Sequence, residues 1–287
     1  MKSLRRLGLG VATLSGLARR GWFIPHRYAA SLALPGRNPA YAPIEAIFER
    51  AQPVFLETLA EIERHSSALE AIAAEAGRPE PGLPNPRFDQ GWFATLDAAA
   101  AYAMVRRHLP RRIVEIGSGH STRFLARALH DAGSDGTILS IDPAPRAAIE
   151  SLAPRVSFDR RTVQQAGEAP FRDLRAGDLL FIDSSHVLMP GSDCDHLFNR
   201  ILPLLPTGTL VHIHDIFLPD DYPEAWGWRN YNEQQGVAQM LVGGGWTPLF
   251  ASHYAQSRLA AHVGAGVLTR LPRHAAAIDA SLWLRKA

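Results

Sequence analysis

From about residue 90 onward, short runs of consecutive apolar residues alternate with stretches whose apolar positions recur every three or four residues. The runs predict strands at 112–116, 137–141, 156–158, 178–183 and 209–215, and residues 246–253 and 264–270 are expected to add two more. The periodic stretches predict helices at 97–108, 122–130, 194–205 and 232–242, the last ended by Gly243-Gly244-Gly245. Strands that are apolar throughout, separated by helices, call for a parallel sheet covered on both faces. Right-handed crossovers then give an α/β, doubly wound, Rossmann-like and mostly parallel sheet of about seven strands.

Ahead of this pattern stands an expected N-terminal helical extension, residues 1–84, with the sheet domain taken as 85–287. Within 44–76, Ile44, Ile47, Phe48, Phe55, Leu56, Leu59, Ile62, Leu69 and Ile72 fall at helical spacing, and Pro53 is expected to split the segment into two helices. Residues 78–86 hold four prolines and a glycine and read as a stiff connector. Leu4, Leu7, Val11, Leu14 and Leu17 predict a short amphipathic helix rather than a targeting signal, because glycines interrupt the apolar stretch and Arg19-Arg20 closes it. It is too short to span a bilayer.

Composition narrows the function classes. Apolar residues make up 46% and charged residues 20% of 287, enough for a large core and too ordered a balance for a disordered chain. A formal net charge of +2 gives no bulk support to nucleic-acid binding. The single cysteine, Cys194, excludes an intrachain disulfide and a cysteine zinc site, and its acidic neighbours Asp193 and Asp195 disfavour a reactive thiolate. With no sign of an oxidising compartment or membrane insertion, a cytoplasmic protein is expected.

In such a sheet, ligands bind beyond the carboxyl ends of the strands. The first strand ends in Gly117-Ser118-Gly119-His120-Ser121-Thr122, where glycines let the backbone approach a ligand and the next helix points its amide groups at it. A dinucleotide fingerprint would place a third glycine at Thr122, and Glu115 just ahead would repel a pyrophosphate but could hold a cationic amino group through a water. Asp142 ends the second strand, where an acid can accept both hydroxyls of a ribose. Asp183, followed by Ser184-Ser185-His186, and Asp215, preceded by His212 and His214, end two strands expected to be neighbours. Their convergence suits a general base or a divalent cation, while His212 could simply pack within the sheet. The aromatic stretch 216–234 is expected to wall a substrate site.

These motifs carry a resemblance. Val114-Glu115-Ile116-Gly117-Ser118-Gly119 and Ile141-Asp142 resemble the glycine motif and ribose-binding acid of class I S-adenosylmethionine-dependent methyltransferases. Phe181-Ile182-Asp183-Ser184-Ser185-His186 and His214-Asp215-Ile216 resemble the later motifs of methyltransferase family 24. In outline the chain is also similar to catechol O-methyltransferase, but Ile216 stands where that family places a metal-binding asparagine, and its catalytic lysine has no counterpart between Lys2 and Lys286.

The resemblance implies methyl transfer from S-adenosylmethionine to an oxygen or nitrogen of a small-molecule acceptor. Glu115, Gly117, Ser118, Gly119, Ser121, Asp142 and Asp183 are then the expected cofactor residues, and His186, His214 and Asp215 the catalytic candidates. Asp183, His186 and Asp215 are the candidate ligands for magnesium or manganese. The rivals are an NAD(P)-dependent oxidoreductase and a non-catalytic interaction module. A homo-oligomer is compatible with the helical extension.

Overall fold

A computed structural model describes residues 2–34, 36–76, 84–145 and 152–287. The chain divides into two compact units, 1–34 and 35–287. The first holds helix α1 (Lys2–Leu14) and a short 3-10 turn at Ala29–Ser31. At 100° per residue, Leu7, Val11 and Leu14 fall on one side of α1, and Arg5, Arg6 and Thr13 on the other.

The second unit begins with α2 (Ala42–Arg64) and α3 (Ser66–Glu75). Contrary to expectation, Pro53 does not split α2. Its ring sits on the exposed side, where water can serve the carbonyl it leaves unpaired, while Phe48 and Phe55 anchor the helix on either side of it. The break falls instead at His65. Phe48 and Phe55 meet Tyr254 edge to face, and Thr58 Oγ1 donates to Leu249 O at 3.1 Å, so α2 belongs to the same core as the sheet. Residues 78–83 of the expected connector lie outside the described residues.

Next come α4 (Thr95–His108), β1 (Arg112–Ile116), α5 (His120–Asp131), β2 (Thr137–Ile141), β3 (Val156–Asp159), α6 (Val163–Ala166) and β4 (Leu179–Ile182). A helix then starts as α7 (Asp193–His196), widens to a π-turn at Leu197–Ile201 and tightens to a 3-10 turn at Leu202–Leu204. The chain continues with β5 (Leu210–Ile213), α8 (Glu233–Val242), β6 (Trp246–Ala251), α9 (Ser252–Arg258) and β7 (Leu282–Lys286).

Among the described residues the strands form one seven-stranded sheet in the order β3-β2-β1-β4-β5-β7-β6. β1 to β5 run parallel, and β7 is antiparallel to both β5 and β6. This is the expected mostly parallel, Rossmann-like sheet with one antiparallel strand. The seventh strand, however, is not 264–270, which carries a 3-10 turn at Gly266–Thr269. Gly266 adopts a left-handed φ of 64°, and the Val267 amide donates to Glu63 Oε2 at 2.7 Å, so the segment docks on α2 instead of pairing in the sheet.

β4 and β5 are buried along their whole length, as their apolar sequences require. α5 turns Phe124, Leu125, Ala128 and Leu129 inward, and burial of each of the phenylalanine and leucine side chains stabilises the fold by roughly 1.5–3 kcal/mol. The strand order reverses between β1 and β4. Such a switch point is where open α/β sheets bind ligands.

Candidate active site

The glycine turn and Asp183 face each other across the switch point. The Asp183 amide donates to Ile116 O at 2.9 Å and the Gly117 amide to Ile141 O at 3.0 Å, so three strand ends are tied together. Gly117 has φ 83°, open only to glycine without strain, and a Cβ there would stand 2.5 Å from the Asp183 carbonyl oxygen. A Cβ on Gly119 would meet nothing within 4 Å, so the turn is open above that residue.

Beneath the turn lies Glu115, fully buried. Its Oε1 accepts from Ser121 Oγ at 2.7 Å, and its Oε2 from Thr122 Oγ1 at 2.7 Å and Ser140 Oγ at 3.0 Å. Burial pushes this carboxyl up to about 7, against the pull of the three hydroxyls. The structure thus gives Glu115 and Ser121 a shared task, bracing the first turn of α5 from below. The Gly119 amide donates to Thr122 Oγ1 at 2.9 Å. Thr122 replaces a third glycine with a side chain that holds the turn together.

Asp142 stands at the end of β2. Its Oδ2 accepts from Ser118 Oγ at 2.7 Å and its Oδ1 from the Ala144 amide at 2.8 Å. Both oxygens therefore have a partner, one shaping the local turn and one linking to the glycine turn. Ser118 and Asp142, expected to share a cofactor, are brought together.

On the other side of the switch point, two histidines and four carboxylates form one cluster. His186 Nε2 lies 3.3 Å from Asp183 Oδ1 and 3.3 Å from Asp215 Oδ2, and its Nδ1 lies 2.9 Å from Glu233 Oε2. His214 Nδ1 lies 3.6 Å from Asp183 Oδ1 and 3.5 Å from Asp215 Oδ1, and its Nε2 lies 3.5 Å from Asp97 Oδ2. Because β5 ends at Ile213, His214 leads into a left-handed Asp215 (φ 58°) that turns its carboxylate back to the cluster. His186 is also left-handed (φ 61°). Each such non-glycine residue costs of order 1–3 kcal/mol and persists only where its surroundings enforce it.

Burial alone would lower both imidazoles, but the surrounding carboxylates outweigh it and hold both well above the ordinary histidine value. The reciprocal effect keeps Asp183 far below the usual carboxylate range in spite of its surroundings, through hydrogen bonds from His186 and His214. The Asp183 side chain is 42% exposed, while those of His186, His214 and Asp215 are 5%, 6% and 9% exposed. Asp183 is the face of the cluster that a ligand can reach.

His212 is the exception among the strand-end groups. It stacks on Phe181 at 3.7 Å, bonds Ser281 Oγ through Nε2 at 2.8 Å, and burial drives it well below the ordinary value. It is a neutral packing residue, as one of its two readings had it. Cys194 is buried beside Ser184 and Glu233, and burial pushes its thiol upward, so it is inert.

A metal does not fit the expected ligand set. Among the described residues no group of three or more His, Cys, Asp or Glu side chains is arranged to hold an ion. His186 has both nitrogens engaged by carboxylates and is held protonated, which leaves no lone pair for a cation. Ile216 is buried, with its amide donating to Ala280 O at 2.8 Å.

Two cluster members escaped sequence reasoning. Glu233 lies in the first turn of α8 and Asp97 in the first turn of α4, where acids are commonplace complements of the helix dipole. Both are fully buried. Asp97 also accepts from the Ala280 and Ser281 amides at 3.0 Å and from Ser252 Oγ. The stretch 216–234 folds over a small apolar cluster of Phe217, Tyr222 and Ala280 and sets Tyr231 against His186, ring centroids 4.6 Å apart.

The profile of methyltransferase family 24, described as a methyltransferase domain, matches residues 114–216, from the middle of β1 to just beyond Asp215. Among solved structures, the chain is similar to an S-adenosylhomocysteine-bound methyltransferase of Podospora anserina at 14% identity. That match covers 93% of this chain and 99% of that one, with a TM-score of 0.43. It is also similar to the Bacillus cereus O-methyltransferase with S-adenosylhomocysteine, at 18% identity over 84% of this chain and 97% of that one, with a TM-score of 0.39. These likenesses are distant. No curated protein matches the sequence. Residues 114–216 are thus similar to a methyltransferase domain, and they contain the glycine turn and the strand ends that meet where the order reverses between β1 and β4.

Proposed function

We propose that the chain methylates an oxygen or nitrogen of a small-molecule acceptor, with S-adenosylmethionine as methyl donor. The observation that carries this reading is the Gly117–Asp183 approach, which sets an open glycine turn beside one exposed carboxylate at the switch point. Gly117, Ser118 and Gly119 would hold the methionine part of the donor and Asp142 its ribose, with Glu115 and Ser121 keeping the turn in shape. The bound donor supplies a methyl group already activated by its sulfonium.

The protein's task is then alignment and proton management. An imidazolium cannot take up a proton, so His186 and His214 do not serve as the base expected of them; Asp183, the exposed member of the cluster and held ionised, acts as a hydrogen-bond acceptor, and the acceptor's proton leaves to water. Asp183 accepts the hydrogen bond of the acceptor's O–H or N–H and turns a lone pair toward the methyl group. His186 and His214 act as positioning residues that keep Asp183 ionised, and Asp215 keeps the two imidazoles charged. The geometry favours a reaction without a divalent metal, because the imidazoles already neutralise the carboxylates that a metal would bind.

Calorimetric titration with S-adenosylhomocysteine and, separately, with NADH tests the reading. Binding of the first alone is expected. Binding of NADH alone would assign an oxidoreductase, and binding of neither an interaction module.

A further inference from the structure

The charge of this protein is segregated. Residues 1–34 carry Lys2, Arg5, Arg6, Arg19, Arg20 and Arg27 and not one Asp or Glu. The remaining 253 residues hold 24 Lys and Arg against 28 Asp and Glu, so the unit at 1–34 is strongly cationic on a chain that is otherwise acidic. Apolar exposure is segregated in the same way. Of the seventeen exposed large apolar side chains among the described residues, eleven lie between Leu7 and Leu34. Leu17 is 82% exposed and Trp22, Phe23 and Ile24 form a continuous exposed run. Solvent is a poor match for such a surface, since monomeric soluble proteins rarely leave large apolar patches together.

We propose that residues 5–34 dock on an anionic lipid surface, lying in the plane of the headgroups. Leu7, Val11 and Leu14 line one side of α1 and would enter the acyl boundary, while Arg5 and Arg6 on the other side stay among the headgroups. Arg19 lies over the Trp22 ring at 5.8 Å and Arg27 over the Tyr28 ring at 5.5 Å. Such pairs present an amphipathic ring and a cation at one depth, which suits a bilayer interface. α1 spans 13 residues, about 20 Å at 1.5 Å per residue, so it lies along a bilayer rather than across it. No helix of the described residues is long and apolar enough to cross a membrane.

Charge decides among the other occupants. A second copy would bring an equally cationic, carboxylate-free surface against this one, and like charges oppose that pairing. A nucleic acid would satisfy the arginines but offer its phosphate backbone to the leucines and Phe23, leaving their apolar area unused. An anionic bilayer satisfies both halves.

The test is co-sedimentation of the full chain with vesicles of phosphatidylcholine alone and of phosphatidylcholine with phosphatidylserine. Binding to the mixed vesicles, weakened by salt, is expected, with little binding to phosphatidylcholine alone. Each cation near an anionic surface strengthens partition about fivefold, so Arg19→Glu/Arg20→Glu should weaken it more than about tenfold. Leu14→Asp/Leu17→Asp should abolish binding with every arginine in place, and Arg50→Glu, an exposed control in the second unit, should change nothing. Circular dichroism confirms that each variant keeps its fold. Absence of vesicle binding, equal binding to both vesicle types, or variants that bind like the parent would overturn the proposal. Self-association lost in Leu14→Asp/Leu17→Asp without vesicle binding would assign the surface to a second copy instead.

Discussion

A Cβ on Gly117 would stand 2.5 Å from the carbonyl oxygen of Asp183. This one approach joins the turn expected to hold the cofactor to the carboxylate expected to meet the acceptor. Gly117→Ala must push β1 and β4 apart or move the turn, and it also strains a φ of 83°. We expect this variant to lose S-adenosylhomocysteine binding by calorimetry and to unfold at a lower temperature. An unchanged affinity would show that the two loops do not act together.

Asp183→Asn keeps the shape of the exposed group and removes its charge. If Asp183 accepts the acceptor's hydrogen bond and orients its lone pair, turnover should fall by about two orders of magnitude or more while cofactor affinity changes little. Steady-state kinetics beside calorimetry separates the two. A variant with parental turnover would remove Asp183 from the chemistry.

Glu115 makes stability depend on pH. Its ordinary value is 4.5 and the folded value is about 7, so between these pH values the folded state keeps a proton that the unfolded state has lost. The stabilisation is complete below 4.5 and is lost as pH rises through about 7, a change on the order of 3 kcal/mol. Glu115→Gln cannot titrate and should flatten this part of the curve. Thermal unfolding at pH 5 and pH 8 measures the difference.

The pair of His186 with Glu233 gives a related signature. The raised imidazole contributes stability that is fully present below its unfolded value of 6.5 and lost as pH rises through its higher folded value. Glu233→Gln should lower the His186 titration seen in its ring-proton NMR signal and destabilise the protein by about 3 kcal/mol at neutral pH, the usual cost of breaking a buried ion pair. A His186 titration unmoved by Glu233→Gln would refute the coupling.

Asp97 holds two backbone amides and a serine hydroxyl ahead of β7 while facing His214. Asp97→Ala strands these donors, at about 1–3 kcal/mol each where water cannot reach. We expect a clear drop in denaturation midpoint, and a smaller one for Asp97→Asn, which keeps one acceptor oxygen.

The parallel half of the fold was legible in the sequence because fully buried strands spell themselves out, as in Leu179-Leu180-Phe181-Ile182. β7 was not, since Leu282-Trp283-Leu284 is a run of three before Arg285-Lys286, and it gains its place from two neighbours far away in sequence. The site divided in the same way. Residues at strand ends, such as Asp142, Asp183 and Asp215, are found by knowing where a sheet binds ligands. Asp97 and Glu233 reach the cluster from helix starts, where nothing local separates a functional acid from a helix-dipole partner. The charge of the imidazoles was hidden too, because it depends on how many carboxylates surround them.

The position of β7 between β5 and β6 also has a bearing on how the chain assembles during synthesis. β6 emerges before the strand it pairs with, and some seventy residues separate β5 from β7. Loop length itself costs little, about 0.6 kcal/mol per doubling, so the delay is one of timing rather than of final stability. The β1–β5 half can form as each crossover is completed, whereas this end of the sheet must wait for a distant partner. Until then β6 has an unpaired edge, which makes it the segment most open to a wrong partner while the chain is being made.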